Sequence, residues 1–599
     1  MPELPIAGDE EPGVLAEPPL LAGLPGFAGK FIPMGQAREL YQRVLLAPRG
    51  FQLEALLAEM KVKLDVQPAD LEHIPIKGPL VAVANHPFGV LDGAALAVLL
   101  LRVRADVKML TNSLLEGIPG LHEHCIFVNP LHTPSSADEN VKPLKQAMEW
   151  LRQGGALAVF PAGEVSQLNV REAQVTDPAW NSVAARLIRK SGASALPVYF
   201  CGRNSVTFQL LGLINPRLRT LFLLHEFLQH REKDVQVRIG GAIPSELIAN
   251  LDSDEEATDY LRLRTYLLSY RGKKTISLPT KMRAALPRKA HEPIAPAVPS
   301  RFVRDDIAAL PAERRLLENA EFAVYAARAS ELPRLLEELG RLRETTFRAA
   351  GEGTGRSVDL DQFDAYYWHL LLWNKEKQEL VGAYRAGNTD EIVRSYGIKG
   401  LYTNTVFRYD EQLFLKIGSA LELGRSFVRP EYQRQYAPLL LLWKGIARFV
   451  VAHPETPVLF GAVSISNEYS SLSREMIVRY FEQRQDGREF ADLIQARTPF
   501  RAPRLRRWDC GAICGALRDL DELAEPISDV EEDGKGLPIL LKQYAKVGGR
   551  LVGFNVDRKF SDVVDGLMIV DLRQTDPAVL ERYMGKEGYA GFRRFHGLD

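Results

Sequence analysis

The sequence predicts an α/β protein built in two halves, and three observations predict it. Between residues 75 and 245, short apolar runs alternate with helical patterns, the rhythm of an α/β sandwich with a mixed sheet. Residues 271–300 then collect Lys273, Lys274, Lys281, Arg283, Arg288 and Lys289 among Pro279, Pro287, Pro293, Pro296 and Pro299, with no Asp or Glu in 271–290. That composition reads as an extended, solvated joint with some attraction to anionic lipid. Beyond it a second α/β pattern begins. The expected division is a loose tail over 1–35, a first domain over 36–270, the linker over 271–300 and a second domain over 301–599.

Each element has its own signal. Leu40, Val44, Leu45, Leu53, Leu56 and Leu57 make an amphipathic pattern over 36–60: a helix packed on its domain or, as the sharper reading, one lying at a bilayer surface. Strands are expected over 80–85, 107–111, 125–129, 156–160, 196–200 and 235–239. Helices are expected over 93–104, over 141–152 with Gly154-Gly155 as its stop, and over 181–191 with Gly192 as its stop. In the second half, a strand over 322–325 precedes a helix over 331–348 that puts Leu332, Leu335, Leu336, Leu339 and Leu342 on one side. A hairpin joins 366–372 to 380–385 through a tight turn at 375–378. A strand over 420–430, a helix over 438–452 and a strand over 457–465 complete the pattern.

Composition sets bounds on function. The chain has 599 residues, 46% hydrophobic and 25% charged, as in ordinary globular proteins. A net charge of −1 gives no drive toward nucleic acid. Four cysteines, Cys125, Cys201, Cys510 and Cys514, make no disulfide framework and suit a reducing compartment. Cys510 and Cys514 have no His-rich segment near them, so no metal is expected. Residues 1–29 are acidic and Pro-rich without Lys or Arg, so no signal peptide is expected. Apolar stretches such as 94–101 are far shorter than the ~20 residues a membrane-spanning helix requires. Any lipid chemistry is therefore expected to run at the membrane surface.

The chemistry is concentrated in two motifs, Asn85-His86-Pro87-Phe88-Gly89-Val90-Leu91-Asp92-Gly93 and Phe160-Pro161-Ala162-Gly163-Glu164. Each follows a strand-like run. A His followed by an Asp at a strand end is what proton removal from a hydroxyl needs: the imidazole takes the proton and the carboxylate fixes its tautomer. A Pro-Ala-Gly turn on a neighbouring strand can hold a head group beside that base. Alone, His86 reads as a satisfied structural histidine; the second motif tips the reading to catalysis. The pair resembles the first and third sequence blocks of the glycerolipid acyltransferases, which acylate the hydroxyl of a lysolipid. The resemblance implies that His86 is the base and Asp92 its partner, with Asn85, Gly89, Phe160, Pro161, Gly163 and Glu164 at the substrate. The chain departs from that pattern twice. Five residues separate His86 from Asp92 where the family has four. In an unbroken helix the extra residue rotates Asp92 by ~100°, so Pro87 and Gly89 are expected to absorb it in a turn. Ala162, Glu164 and Val165 replace the family's Glu, Thr and Arg, while Ser166 matches. A phosphate-binding cation is lost and a carboxylate gained, which suits an acceptor carrying an amine.

In the second half, Asp361-Gln362-Phe363-Asp364-Ala365-Tyr366, Glu422-Leu423-Gly424-Arg425-Ser426, Leu442-Trp443-Lys444-Gly445-Ile446-Ala447 and the less specific Gly536-Leu537-Pro538-Ile539-Leu540-Leu541-Lys542 resemble the N-acyltransferases of the GNAT superfamily. They look most like those that join a 3-hydroxyacyl chain from acyl carrier protein to ornithine. The resemblance implies a GNAT-like α+β domain. Within it Glu422 either accepts the amine proton or binds the amine, Arg425 fixes a carboxylate or shapes the site, and Asp364, Arg429 and Arg434 are further candidates to bind substrate or carrier. The stretch 434–438 lacks the glycines that cradle a pyrophosphate at a helix start, which favours acyl carrier protein over coenzyme A. Arg425, Arg429, Arg434 and the cluster Arg501, Arg504, Arg506 and Arg507 are the candidates to meet its acidic surface. The bland readings are an internal Glu422–Arg425 salt bridge and a solvated loop.

Taken together, the chain resembles the bifunctional ornithine-lipid synthases of bacteria. That implies an N-acyl transfer in the second domain and O-acylation of the resulting 3-hydroxyl in the first. No cofactor is expected beyond the acyl carrier protein thioester. The partners would be that carrier and bilayer lipids, with no nucleic acid, at the cytoplasmic face of the bacterial inner membrane. The rival readings are the same pathway on glycine, lysine or glutamine, a lysophospholipid O-acyltransferase with a GNAT-like docking module, and a membrane-surface binding protein without activity.

Overall fold

The computed structural model describes residues 34–48, 52–118, 121–129, 138–170, 174–214, 216–272, 291–484, 487–501, 514–515, 517–558 and 560–598. Nearly all of the expected tail, linker residues 273–290, Arg504, Arg506, Arg507 and Cys510 lie outside them. The chain forms two compact units, Met1–Gly272 with Ser528–Gly534, and Lys273–Ile527 with Lys535–Asp599.

The first unit holds β1 (Leu64–Asp65), β2 (Leu80–Ala84), β3 (Val107–Asn112), β4 (Cys125–Val128), β5 (Ala156–Val159), the small pair β6 (Gln167–Asn169) and β7 (Gln174–Thr176), β8 (Ser194–Phe200) and β9 (Val235–Ile239). Its main sheet runs β1-β9-β8-β2-β5-β3-β4. Every pair is parallel except β8–β9, so the sheet is mixed, as the alternation predicts. All five residues of β2 are buried, which is why it reads as an unbroken apolar run and not an alternating one. The helix Val90–Leu101 carries no charge after Asp92 and is buried from Leu91 to Leu100. Each of its buried leucines contributes roughly 2 kcal/mol to the core. It starts at Val90, three residues before the expected 93, because Gly89 at φ +80° turns the chain into it at once. The helices Val206–Ile214, Pro216–Gln229 and Asp254–Leu267 were not foreseen. The registers Val83↔Val159 and Ala84↔Val198 place the C-terminal ends of β5, β2 and β8 side by side, so the two motifs leave the sheet at one edge.

The second unit holds β10 (Arg315–Glu318), β11 (Phe322–Arg328), β12 (Trp368–Asn374), β13 (Glu379–Asn388), β14 (Phe407–Tyr409), β15 (Ala420–Val428), β16 (Val458–Ile465), β17 (Ile494–Ala496), β18 (Arg550–Asp557) and β19 (Val563–Asp571). The main sheet runs β10-β11-β12-β13-β15-β16-β19-β18. The expected hairpin is β12–β13, closed by Asn374↔Glu379. The sheet is antiparallel except between β15 and β16, and that parallel pair is short. It stops at Glu422↔Phe460, although β15 continues against β13 to Val428 and β16 continues against β19 to Ile465. The two strands therefore part into a wedge in mid-sheet. At its root they are tight: a Cβ on Gly461 would lie 2.1 Å from the Leu423 carbonyl oxygen, so only glycine fits. A bulge in β15, with Arg425 at φ +50°, marks the parting. The helix Tyr436–Ala452 follows β15, two residues ahead of the expected start.

Candidate active sites

In the first unit the site is built where β2 ends. Asn85 donates from Nδ2 to the Phe200 carbonyl (3.0 Å) and accepts from the Phe200 N–H at Oδ1 (2.7 Å). Its amide is spent as a rung between β2 and β8, which corrects the expectation that it meets substrate: it is buried and positions its neighbour. His86 is held at both backbone groups. Its N–H donates to Asp177 Oδ1 (3.1 Å) and its carbonyl accepts from Ser166 N–H (2.8 Å). Asp177 also accepts from the Trp180 indole (2.9 Å) and from the Ser166 hydroxyl.

The His86 side chain meets Asp92 as the motif requires. Nδ1 lies 3.1 Å from Asp92 Oδ2, which also accepts the N–H groups of Phe88 (2.7 Å) and Gly89 (3.0 Å). The inserted residue is absorbed in the Gly89 turn, which returns Asp92 toward the imidazole from the first helical turn. Burial pushes the Asp92 carboxyl upward, and the His86 and backbone donors oppose that push. With Asp92 ionised, Nδ1 carries the proton and Nε2 is left as the accepting nitrogen. The His86 side chain keeps 18% of its surface, while Asp92 has none. Phe160 covers the imidazole with ring centroids 4.2 Å apart. The turn after it closes through Gly163 N–H to the Phe160 carbonyl (3.0 Å) with Gly163 at φ +67°. The Pro161 carbonyl accepts from Asn181 N–H (2.9 Å) and Nδ2 (2.6 Å). Glu164 is exposed and Val165 buried. The Val165 side chain faces Gly89, 3.5 Å from where a Cβ would sit there, so the position that is Arg in the family has become part of the packing.

In the second unit the wedge is surrounded by charge. Glu422 is wholly buried and accepts from Thr403 N–H (2.6 Å), Tyr402 N–H (3.2 Å) and the Tyr367 hydroxyl. Both its oxygens are used to anchor the 401–403 turn, so the geometry makes it a positioning residue and corrects its expected part in proton transfer. Asp364 is also interior. It accepts from Arg343 (2.7 Å) and Arg385 (3.3 Å). Burial alone would raise its carboxyl, but the two guanidiniums hold it well below the usual range. It is therefore not placed to bind substrate.

Arg425 continues this lattice, pairing with Asp359 (3.0 Å) and Asp361 (3.6 Å) and donating to the Tyr402 hydroxyl (2.8 Å). Three arginines thus balance three aspartates. Arg429 pairs with Glu379 (2.6 Å) and Glu431 (3.2 Å). Arg434 is exposed in the turn before the helix Tyr436–Ala452, and Arg501 is exposed as well.

Two further acidic side chains meet the part of β16 and the turn after it that lie beyond the last β15–β16 pair, and neither was expected from the sequence. Asp565 on β19 accepts from the Ser464 hydroxyl on β16 (2.8 Å), four residues past the last β15–β16 pair. Burial pushes its carboxyl up to about 7, helped by Asp557 and Glu352 and opposed by Ser464 and Arg425. Burial and Glu468 likewise push Glu352 up to about 7. The signal was present for Asp565, a lone charge inside the apolar run 563–570.

Two family matches cover the first site and part of the second. The family described as Acyltransferase matches residues 14–273, and the Acetyltransferase (GNAT) domain matches residues 342–444. A glycine N(alpha)-acyltransferase of Bacteroides thetaiotaomicron is 31% identical over 277 residues, 43% of this chain and 79% of that protein. An L-ornithine N(alpha)-acyltransferase of Rhodobacter capsulatus is 29% identical over 248 residues, 39% and 83% of the two chains. A lyso-glycine lipid O-acyltransferase of Phocaeicola vulgatus is 29% identical over 199 residues, 32% and 68%.

Proposed function

This chain belongs to the GNAT-type N-acyltransferase family of those relatives, and we propose that it makes an ornithine lipid by two successive acyl transfers. The second unit joins a 3-hydroxyacyl group from acyl carrier protein to the α-amine of ornithine. The first unit then acylates the 3-hydroxyl of that product. The observation that carries the reading is the presence, in one polypeptide, of two unlike acyl-transfer geometries: a His–Asp pair suited to an alcohol and a parted strand pair suited to an amine.

In the O-acyl step, His86 Nε2 takes the hydroxyl proton as the oxygen attacks the thioester carbonyl. Asp92 stabilises the imidazolium through Nδ1–H. The C–S bond breaks and the departing thiolate takes the proton back from the imidazolium. In the N-acyl step, the facing edges of β15 and β16 no longer pair with each other beyond Glu422↔Phe460, which suits an extended thioester arm laid between them. Exposed Arg434 at the mouth of the following helix meets the acidic carrier. The reaction runs at the cytoplasmic face of the inner membrane, from the surface; among the described residues no helix is long and apolar enough to cross a bilayer.

Glu164 favours ornithine as the amino acid. After α-acylation ornithine retains a side-chain ammonium for an exposed carboxylate to meet, whereas a glycine product retains none. The glycine-named relative keeps glycine as the second reading. Expression in a bacterium lacking amino-acid lipids, followed by lipid mass spectrometry, tests both. A two-chain ornithine lipid is expected from the wild type and a one-chain species from His86→Ala. A glycine lipid selects the second reading, and no new lipid rejects the proposal.

A further inference from the structure

The wedge needs a base, because an α-amine is protonated near neutral pH and an ammonium has no lone pair with which to attack a thioester. Glu422 does not supply one, since its oxygens are taken by Thr403, Tyr402 and Tyr367. The candidates that remain at the wedge are Asp565 and Glu352. Asp565 is the more rigid of the two. It sits in mid-strand, paired across to Ser464 on β16 and to Asn555 on β18. Glu352 sits in the loop after the helix Leu335–Ala349. The charged groups that act on Asp565 come from several elements: Asp557 from β18, Glu352 from that loop, and Arg425 from the β15 wall.

We propose that Asp565 is the general base of the N-acyl transfer, held by Ser464 of β16 just past the point where β15 and β16 part. This rests on the N-acylation reading above. The Asp565 carboxylate removes one proton from the ammonium. The freed nitrogen pair attacks the thioester carbonyl carbon, and the C–S bond of the tetrahedral adduct breaks. The thiolate leaves with the second proton lost by nitrogen, so amide and free thiol form and Asp565 returns its proton to solvent. Glu352, as a neighbouring acidic group, helps raise the Asp565 proton affinity toward that useful at neutral pH. Activity should therefore rise with pH as Asp565 loses its proton, with a midpoint near 7.

The test is free-thiol release by the full chain from a 3-hydroxyacyl carrier thioester with ornithine, followed across pH. O-acylation of a supplied one-chain lipid is measured in the same preparations. Asp565→Asn is expected to lower N-acylation by about 100-fold or more and to abolish the acidic limb, with O-acylation unchanged. Ser464→Ala is expected to keep the limb and move it to higher pH, because a hydrogen bond that favours the carboxylate is gone. Asp565→Asn within about threefold of wild type, or an acidic limb left in place, overturns the assignment. If Asp565→Asn does not fold, Ser464→Ala decides, and an unmoved limb overturns it. A wild type that acylates neither ornithine nor glycine overturns the underlying reading instead.

Discussion

The two candidate sites are assembled in opposite ways. In the first unit, base and partner lie six residues apart, and a single glycine turn brings them together. In the second, the charged groups come from residues 343, 352, 359, 361, 364, 385, 422, 425 and 565, and only a folded sheet makes them neighbours. A site made from one contiguous turn is fixed by local backbone geometry. A site made from many strands depends on register, and its most acidic-looking members can turn out to be scaffold. Asp364 and Glu422 belong to that scaffold. They balance or anchor buried groups, and breaking such interactions is costly whether or not chemistry happens beside them.

The sharpest way to break this comparison is His86→Ala. It should lower O-acylation by about 1,000-fold and leave N-acylation intact, read as accumulation of the one-chain lipid. Comparable loss of both activities would mean that the two sites are not separable.

Glu422→Gln probes the scaffold assignment. An amide nitrogen there faces backbone donors, so a stability loss of about 2–3 kcal/mol is expected in denaturant unfolding. The pH profile of the remaining N-acylation should be unmoved. A lost acidic limb would return Glu422 to the chemistry.

Asp565→Asn also has a signature in stability. The folded state holds the Asp565 carboxyl near 7, above its ordinary unfolded value, so the wild type is most favoured by this group below about pH 4 and loses that contribution as pH rises through 7. The Asn variant should therefore melt higher than wild type at pH 8 but not at pH 3.5. A constant difference across pH would reject the raised proton affinity.

Smaller effects sharpen the picture further. Arg434→Glu should raise the carrier KM by about threefold at low salt, and the difference should fade as salt is added. Gly163→Ala should cost about 1 kcal/mol, because φ +67° strains a residue with a Cβ. O-acylation should fall with it more than N-acylation does.

Much of the fold was legible. The strands at 80–84, 107–112, 156–159 and 235–239 and the helix at 141–152 appear within a residue or two of their expected bounds, because 80–84 and 156–159 are unbroken apolar runs, 235–239 alternates apolar and polar residues, and the helix is amphipathic and stops at Gly154-Gly155. The family resemblance of each half agrees with the matched acyltransferase and GNAT regions. The helices at 206–229 and 254–267 and the strands β18 and β19 were missed. Boundary signals were present, in the Ser253 cap of the helix Asp254–Leu267 and in Gly548-Gly549 before β18, but β19 becomes interior only by pairing with β16 and β18.

The sequence by itself determined the two α/β halves and the His86–Asp92 motif, because hydrophobic period and turn-forming residues act within a few residues of chain. Only the tertiary structure decided that Asn85 and Glu422 are clamps, that Val165 is packing and that Asp565 meets Ser464 beyond the last β15–β16 pair. Those outcomes depend on which distant backbone groups claim each polar atom, and on where two parallel strands stop pairing. Both are set by long-range register, which no local pattern encodes.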